Sequence, residues 1–192
     1  MAENTPVHAT VSSDAEQLIL VDADDRELGH DSKAACHDGA GVLHRAFSLF
    51  VFNGAGELLL QQRSAGKRLW PGYWANSCCS HPRRGESMQQ ATQRRLQQEL
   101  GMACELRYLF KFQYQAHYRD LGSEHELCWV YVGQTDAPVL ANASEVAAWR
   151  FVSPDVLDAE MLATPDHFTP WLKLEWQRLR RQFNAALPPG AA

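Results

Sequence analysis

The sequence predicts an α/β (α+β) sandwich, and three observations predict it: β-prone runs precede a central helix-forming run, period-two alternation follows it, and helical spacing closes the chain. His44 to Phe52 is apolar and β-prone, Asn53-Gly54-Ala55-Gly56 is a turn cluster, and Leu58 to Gln62 reads as a returning strand. A hairpin is expected there. Glu86 to Leu100 is rich in Gln, Arg, Ala, Leu and Glu, lacks Pro and Gly, and stops at Gly101, a residue suited to a C-terminal cap. Phe110, Phe112, Tyr114, Ala116 and Tyr118 then alternate with polar residues, Asp120-Leu121-Gly122 turns the chain, and Glu124 to Gly133 alternates again before the loop around Pro138. Pro154 to Ala163 and Asp166 to Phe183 read as helices, the second with Trp171, Leu172, Glu175, Leu179 and Phe183 at three-or-four spacing.

The chain has 192 residues, 45% hydrophobic and 21% charged, which suits one domain with a sizeable core. We expect residues 1–15 to be disordered, 16–183 to form a single domain, and 184–192 to be a flexible tail. Eighteen Lys and Arg against 23 Asp and Glu give a net charge of −5, which argues against a nucleic-acid coat. Any anionic ligand must therefore meet a local basic patch. The first residues lack a basic start and an apolar run, and no stretch is long and apolar enough for a membrane span, so a cytoplasmic protein is expected. Five cysteines there serve metals or catalysis more readily than bridges. Four of the eight histidines and three of the five cysteines fall between His30 and His81.

The sharpest local feature is Asn76-Ser77-Cys78-Cys79-Ser80-His81-Pro82, preceded by Trp70-Pro71-Gly72-Tyr73-Trp74. A cysteine two residues from a histidine suits a metal corner, an activated thiolate or a buried inert pair. In the strand from Glu124, residues two apart share a face, so Glu124 and Glu126 point together and His125 points away. That face continues as Cys128, Val130 and Val132, and carboxylates on an apolar face need a partner. His37 and His44 flank the flexible Asp38-Gly39-Ala40-Gly41 segment; with His81, Glu124 and Glu126 they form a mixed nitrogen and oxygen set for one divalent ion. From Arg63 to Arg95 seven basic residues stand against one acid, Glu86, a local charge of +6 suited to a small polyanion such as a diphosphate. Arg95 and Glu99, four apart on one helical face, could serve the same diphosphate.

At these residues the chain resembles the type I isopentenyl-diphosphate Δ-isomerases of the Nudix fold superfamily, over nearly all of residues 16–183. The motifs that carry the resemblance are W-P-G-x-W and N-S-x-C-x-H-P between Trp70 and Pro82, E-x-E at Glu124 to Glu126, and the two upstream histidines. A Nudix box laid on Ser80 to Met102 matches at Glu86, Arg94, Leu96, Glu99, Gly101 and Met102, while Ser80, Arg95 and Gln98 replace its first Gly and two of its Glu. Those losses put diphosphate hydrolysis in doubt and agree with the degenerate box expected of the isomerases.

The resemblance implies a Nudix-like α/β/α sandwich with a mixed sheet and a central Nudix helix. It implies interconversion of isopentenyl and dimethylallyl diphosphate in isoprenoid biosynthesis, with Cys79 and Glu126 as the catalytic pair. Glu126 is the preferred acid in the forward direction and Cys79 the preferred base, a choice the sequence leaves open. His37, His44, His81, Glu124 and Glu126 would hold one divalent metal, and Glu99 would help a second; magnesium with manganese or zinc is expected. Lys33, Arg63, Lys67 and Arg95 would contact the diphosphate, Tyr114 would hydrogen-bond Glu126, and Trp171 would cover the hydrocarbon end. The expected partner is a small-molecule diphosphate, with no nucleic acid and no membrane, and the expected state is a monomer or weak homodimer. Two other readings are a Nudix hydrolase of nucleoside diphosphate derivatives and a non-catalytic metal-binding module.

Overall fold

A computed structural model describes residues 10–188 and 190. Its centre is strand β3 (His44–Phe52), the apolar run of the sequence, which pairs in parallel with β8 (Ser123–Gln134) along its whole length, from His44 opposite Glu126 to Phe52 opposite Gln134. On its other side β3 pairs antiparallel with the three-residue β6 (Cys78–Ser80), Ser48 facing Cys79. β7 (Leu106–His117) returns against β8 as an antiparallel hairpin with Tyr114 opposite Glu126. β1 (Gln17–Val21) and β2 (Glu27–Ser32) extend the β3 side, and β4 (Leu58–Arg63) carries β5 (Trp74–Ala75) and β9 (Val146–Val152). The sheet is mixed, as expected.

Side chains alternate along β3 and sort the core into two layers. Ala46, Phe50 and Phe52 join Leu58, Leu60, Val130, Trp171, Leu172, Trp176 and Leu179 on one face. Phe47, Leu49 and Val51 join Leu59, Cys78, Ala91, Leu96 and Leu100 on the other. The second layer lies under helix α2 (Met88–Leu100), the central helix read from the sequence. Its start is Ser87 rather than Glu86, because the Ser87 hydroxyl accepts from the Gln90 amide while the Gln90 side chain accepts from the Ser87 amide, a capping box contributing about 1 kcal/mol. Gly101 closes it at φ 65°.

Other sequence expectations differ in part from the structure. The β3–β4 hairpin pairs at Phe52 and Leu58, after which β4 leaves for β9, since β8 and β6 occupy both edges of β3. The helix expected from Asp166 begins instead at Pro170: α4 spans Pro170–Gln182, behind a separate 3-10 turn at Pro165–His167, because a proline disfavours helical geometry in the residue before it. Within the segment expected to be disordered, residues 1–9 lie outside the described residues, whereas residues 10–15 have defined positions and the Val11 carbonyl accepts from Arg95 Nη1 at 2.9 Å. In the expected tail, Asn184–Ala186 forms a 3-10 turn and Leu187 is buried. Helix α3 (Pro154–Ala163) has the span read from the sequence. Among the described residues no helix is long and apolar enough to cross a membrane.

Candidate active site

The register of the sheet gathers the chemistry. His44 and Ser48 point to one face of β3, so their partners Glu126 on β8 and Cys79 on β6, and Tyr114 opposite Glu126, leave the sheet on that face too. Cys78, one residue earlier, points into the core under α2 and is fully buried. This parity separates two adjacent cysteines. His37 follows the single-turn helix α1 (Lys33–Cys36) and is held beside β8 by its carbonyl, which accepts from the Ser123 amide at 3.0 Å. Gly122 makes that approach possible: at φ 142° a Cβ there would lie 2.2 Å from the His37 carbonyl oxygen.

His37, His44, His81, Glu124 and Glu126 converge, each offering one ligand atom, all within 4.8 Å of one another. The three imidazole centroids are 4.8 to 5.1 Å apart. His37 Nδ1 faces the Lys33 carbonyl oxygen at 2.7 Å and His44 Nδ1 faces that of Val42 at 2.7 Å, so each donates outward and turns Nε2 inward, where that of His37 meets Glu124 Oε2 at 2.8 Å. His44 Nε2 is buried with no hydrogen-bond partner, and Glu126 Oε1 is 3.9 Å away. A buried ring nitrogen without a donor, beside two carboxylates, fits a divalent cation. Burial, reinforced by His37, pushes His44 down to about 3, and burial with His44 lowers His81 well below its ordinary value, so both are neutral, the ligating form.

Glu126 is the hub of the cavity wall. Tyr114 Oη donates to its Oε2 at 2.7 Å, and His81 Nε2 meets its Oε1 at 2.9 Å. Burial and then the neighbouring Glu124 push its carboxyl well above the usual range. Cys79 is likewise pushed up, by burial and then by Glu175. Its thiol donates to Asn76 Oδ1 at 2.8 Å, lies 3.6 Å from Ser48 Oγ, and accepts from the Trp171 indole at 3.2 Å. Trp171 packs edge-on against Trp70 and near Tyr114, making an aromatic roof.

A cavity of about 240 Å³ joins these groups to a basic end: Cys79, His81, Tyr114, Glu124, Glu126 and Trp171 line it together with Lys33, Arg63, Lys67, Arg68 and Arg95. The basic residues are not equivalent. Arg63 donates to the Trp70 and Leu69 carbonyls and stacks 5.2 Å from the Trp171 ring centroid. Burial, then Lys67 and Arg95, lowers Lys33. Arg83 and Arg94, also in the basic segment, are instead spent on Glu16 and Glu86.

Glu99 stands apart from the five-residue group. It is buried and held by Arg95 at 2.6 and 3.0 Å, and Arg95 also reaches Glu145 at 3.3 Å. Four residues in or behind the cavity wall were not assigned to the site from the sequence. Glu145 pairs with Lys67 and Arg95, Asn76 receives the Cys79 thiol, Ser48 stands between Cys79 and Cys128, and Glu175 lies behind them. Asn76 was within the quoted motif; nothing in linear spacing links Ser48, Glu145 or Glu175 to Cys79.

A mixed sheet flanked by helices, with this cavity at one face, defines a class. The Nudix domain family matches residues 42–172, and a Deinococcus radiodurans structure superposes with TM-score 0.71, 23% identity, and coverage of 86% of this chain and all of that one. A MutT protein from Methanosarcina mazei superposes with TM-score 0.59 at 18% identity over 73% of this chain and 95% of its own. Closer in sequence are the isopentenyl-diphosphate Delta-isomerase 1 of Photorhabdus laumondii, 44% identical over 84% of this chain and 93% of that protein, and the isopentenyl-diphosphate Delta-isomerase of Burkholderia multivorans, 46% identical over 81% and 88%. The chain belongs to the Nudix family and, within it, to the isopentenyl-diphosphate Delta-isomerases.

Proposed function

We propose that this cavity interconverts isopentenyl diphosphate and dimethylallyl diphosphate by adding a proton to one carbon and removing one from another. The observation that carries this reading is that Cys79 and Glu126 line one cavity with Lys33, Arg63, Lys67 and Arg95. The cations take the diphosphate, and that remote binding energy orients the alkene between the thiol and the carboxyl. One of the two groups gives a proton to the terminal alkene carbon, and the other takes one from the methylene carbon beside the diphosphate-bearing carbon. Glu126 is the preferred acid in the forward direction.

Positive charge develops at the tertiary carbon between those events, and water would capture it. Trp171, Trp70 and Tyr114 exclude water, and the Trp171 face adds on the order of 2 kcal/mol of cation–π attraction. Tyr114 fixes the Glu126 rotamer through its 2.7 Å hydrogen bond. His37, His44, His81, Glu124 and Glu126 would hold a divalent ion, for which we propose magnesium, manganese or zinc. When bound, it supplies positive charge that orders the two carboxylates and sets their proton affinity. Arg95, bridging Glu99 and Glu145, presents its guanidinium to the same end of the cavity as Lys33 and Lys67.

The hydrolase reading is less well supported. Of the Nudix-box carboxylates that this chain keeps, Glu86 is engaged by Arg94 at 2.6 and 2.7 Å and Glu99 by Arg95 at 2.6 Å. Purified protein with magnesium and manganese should convert isopentenyl diphosphate to dimethylallyl diphosphate without releasing phosphate, and Glu126→Gln should stop conversion with the melting temperature kept. Phosphate release outpacing isomerisation would favour the hydrolase; turnover of neither substrate class would favour a binding module.

A further inference from the structure

Trp70 holds a backbone conformation that bulky side chains seldom adopt. Its φ is 47°, in the left-handed region, and the residue is 4% exposed. Such a conformation persists only where the surroundings impose it, and it tends to occur beside functional sites. Arg63, at the end of β4, imposes it here: its Nε donates to the Trp70 carbonyl at 3.1 Å and its Nη2 to the Leu69 carbonyl at 2.8 Å. The backbone of Arg63 closes the same loop, its amide donating to the Tyr73 carbonyl and its carbonyl accepting from the Gly72 amide, both at 2.9 Å. Beyond the turn, the Trp74 carbonyl accepts from the Thr169 amide at 2.9 Å, which ties the loop to the start of α4, two residues before Trp171. The Trp70 ring stands edge-on to Trp171, with centroids 5.4 Å apart at 88°, and lies 5.0 Å from the Tyr118 ring. Trp171 is thus held by the Trp70 ring, by Arg63 at 5.2 Å from its centroid, and by its own indole N–H on Cys79 Sγ at 3.2 Å. Trp171 lines the cavity, and Trp70 lies behind it.

We infer that Trp70 is a positioning residue whose strained turn, clamped by Arg63, fixes the Trp171 ring so that the substrate leaves as the isomer and not as a hydration product. The inference rests on the isomerase reading and goes beyond it, because it assigns what happens when the roof slips. A protonated alkene has two exits. It loses a proton from the neighbouring methylene and becomes the isomer, or it takes the oxygen of a water molecule at its tertiary carbon. In the second exit the terminal C–H bond forms with a proton from the acid of the site, and a lone pair of water forms the C–O bond at the tertiary carbon. The surplus proton then leaves that oxygen and returns to the acid through solvent. One isopentenyl diphosphate and one water give one tertiary alcohol diphosphate, and no electron is gained or lost. With Trp171 held in place the first exit wins. Truncating Trp70 releases the Trp171 ring, water reaches the carbon, and the protein becomes in part a hydratase. Trp70 touches no reacting atom, so its effect passes through Trp171. Lys33, Lys67 and Arg95 at the basic end stay as they are, and substrate affinity should hold with them.

The test supplies isopentenyl diphosphate and magnesium to wild type, Trp70→Ala and Trp70→Phe, and counts dimethylallyl diphosphate and the tertiary alcohol diphosphate by proton NMR. In Trp70→Ala the alcohol's share of product should rise about tenfold or more over wild type, with kcat for isomerisation down about tenfold and KM within about twofold. Trp70→Phe keeps a ring on the turn, so its alcohol share should lie between the two. That share does not depend on how much of the protein is folded, which separates a misplaced roof from lost stability. Where Trp70→Ala does not fold, Trp70→Phe decides by the same measure. Lower turnover with the product share of wild type would overturn the positioning role, as would a Trp70→Ala that isomerises like wild type. Absence of dimethylallyl diphosphate from the wild-type reaction overturns the isomerase reading on which it rests.

Discussion

Cys79 and Glu126 stand on the two strands that flank β3, opposite Ser48 and His44, and both side chains leave the sheet on the same face. One central strand therefore sets the thiol and the carboxyl of the same cavity, and one residue of strand parity decides which of two adjacent cysteines reaches it. Cys79→Ala should lower kcat by at least about 100-fold, the scale of removing a general acid or base. Cys78→Ala should leave kcat near wild type and cost about 1 kcal/mol through the cavity it opens under α2. Urea unfolding and steady-state assays on both variants check the contrast.

Metal should stabilise the fold as well as the reaction. His44 is fully buried with an unpartnered Nε2, so adding manganese to chelator-treated protein should raise the melting temperature. At 100 times the dissociation constant, the gain is about 2.7 kcal/mol. His44→Ala should lose most of that gain. Equal shifts in wild type and His44→Ala would remove this residue from the site.

The basic end should respond to anions. Lys33 is lowered chiefly by burial and then by Lys67 and Arg95, so an anion bound beside it favours its charged form. Inorganic diphosphate should raise the melting temperature, less so at high salt, and Lys33→Met should abolish most of that rise while raising KM about tenfold. Calorimetry with and without diphosphate measures it.

Glu175 also predicts a pH signature in stability. Its folded-state value is raised from 4.5 to about 8, chiefly by burial. Between those values the folded chain keeps a proton that the unfolded chain has released, so wild-type stability is lost as pH rises through this window. Glu175→Gln does not titrate, so its stability relative to wild type should climb from pH 4.5 to 8 by a few kcal/mol. Denaturant midpoints at several pH values supply the difference; a flat difference would contradict it.

Much of the site was legible because its histidines and carboxylates fall in short patterns. Glu124 and Glu126 share a strand face by parity alone, and the 38–41 loop joins His37 to His44 at a spacing that suits one ion. The long strands and α2 were legible for the same reason, since periodicity and caps are local. β6 and β9 were not: β6 has three residues, and β9 (VAAWRFV) is half-exposed, so neither carries a decisive period. Ser48 and Glu175 escaped because their proximity to Cys79 comes from β3–β6 pairing and from the packing of α4, relationships across 31 and 96 residues. The split of the basic segment into cavity cations and paired arginines was hidden likewise, because Glu16 and Glu86 meet Arg83 and Arg94 only in the folded chain.

The central claim is that a protein group protonates the alkene while a second removes a proton from the opposite side of the allylic unit. Proton NMR of isopentenyl diphosphate with the metal-loaded protein in deuterated water tests it most directly. The account predicts deuterium in the newly formed methyl group of dimethylallyl diphosphate, and no product with Cys79→Ala. Product whose methyl carries no deuterium, as in a direct hydrogen shift within the substrate, would contradict it.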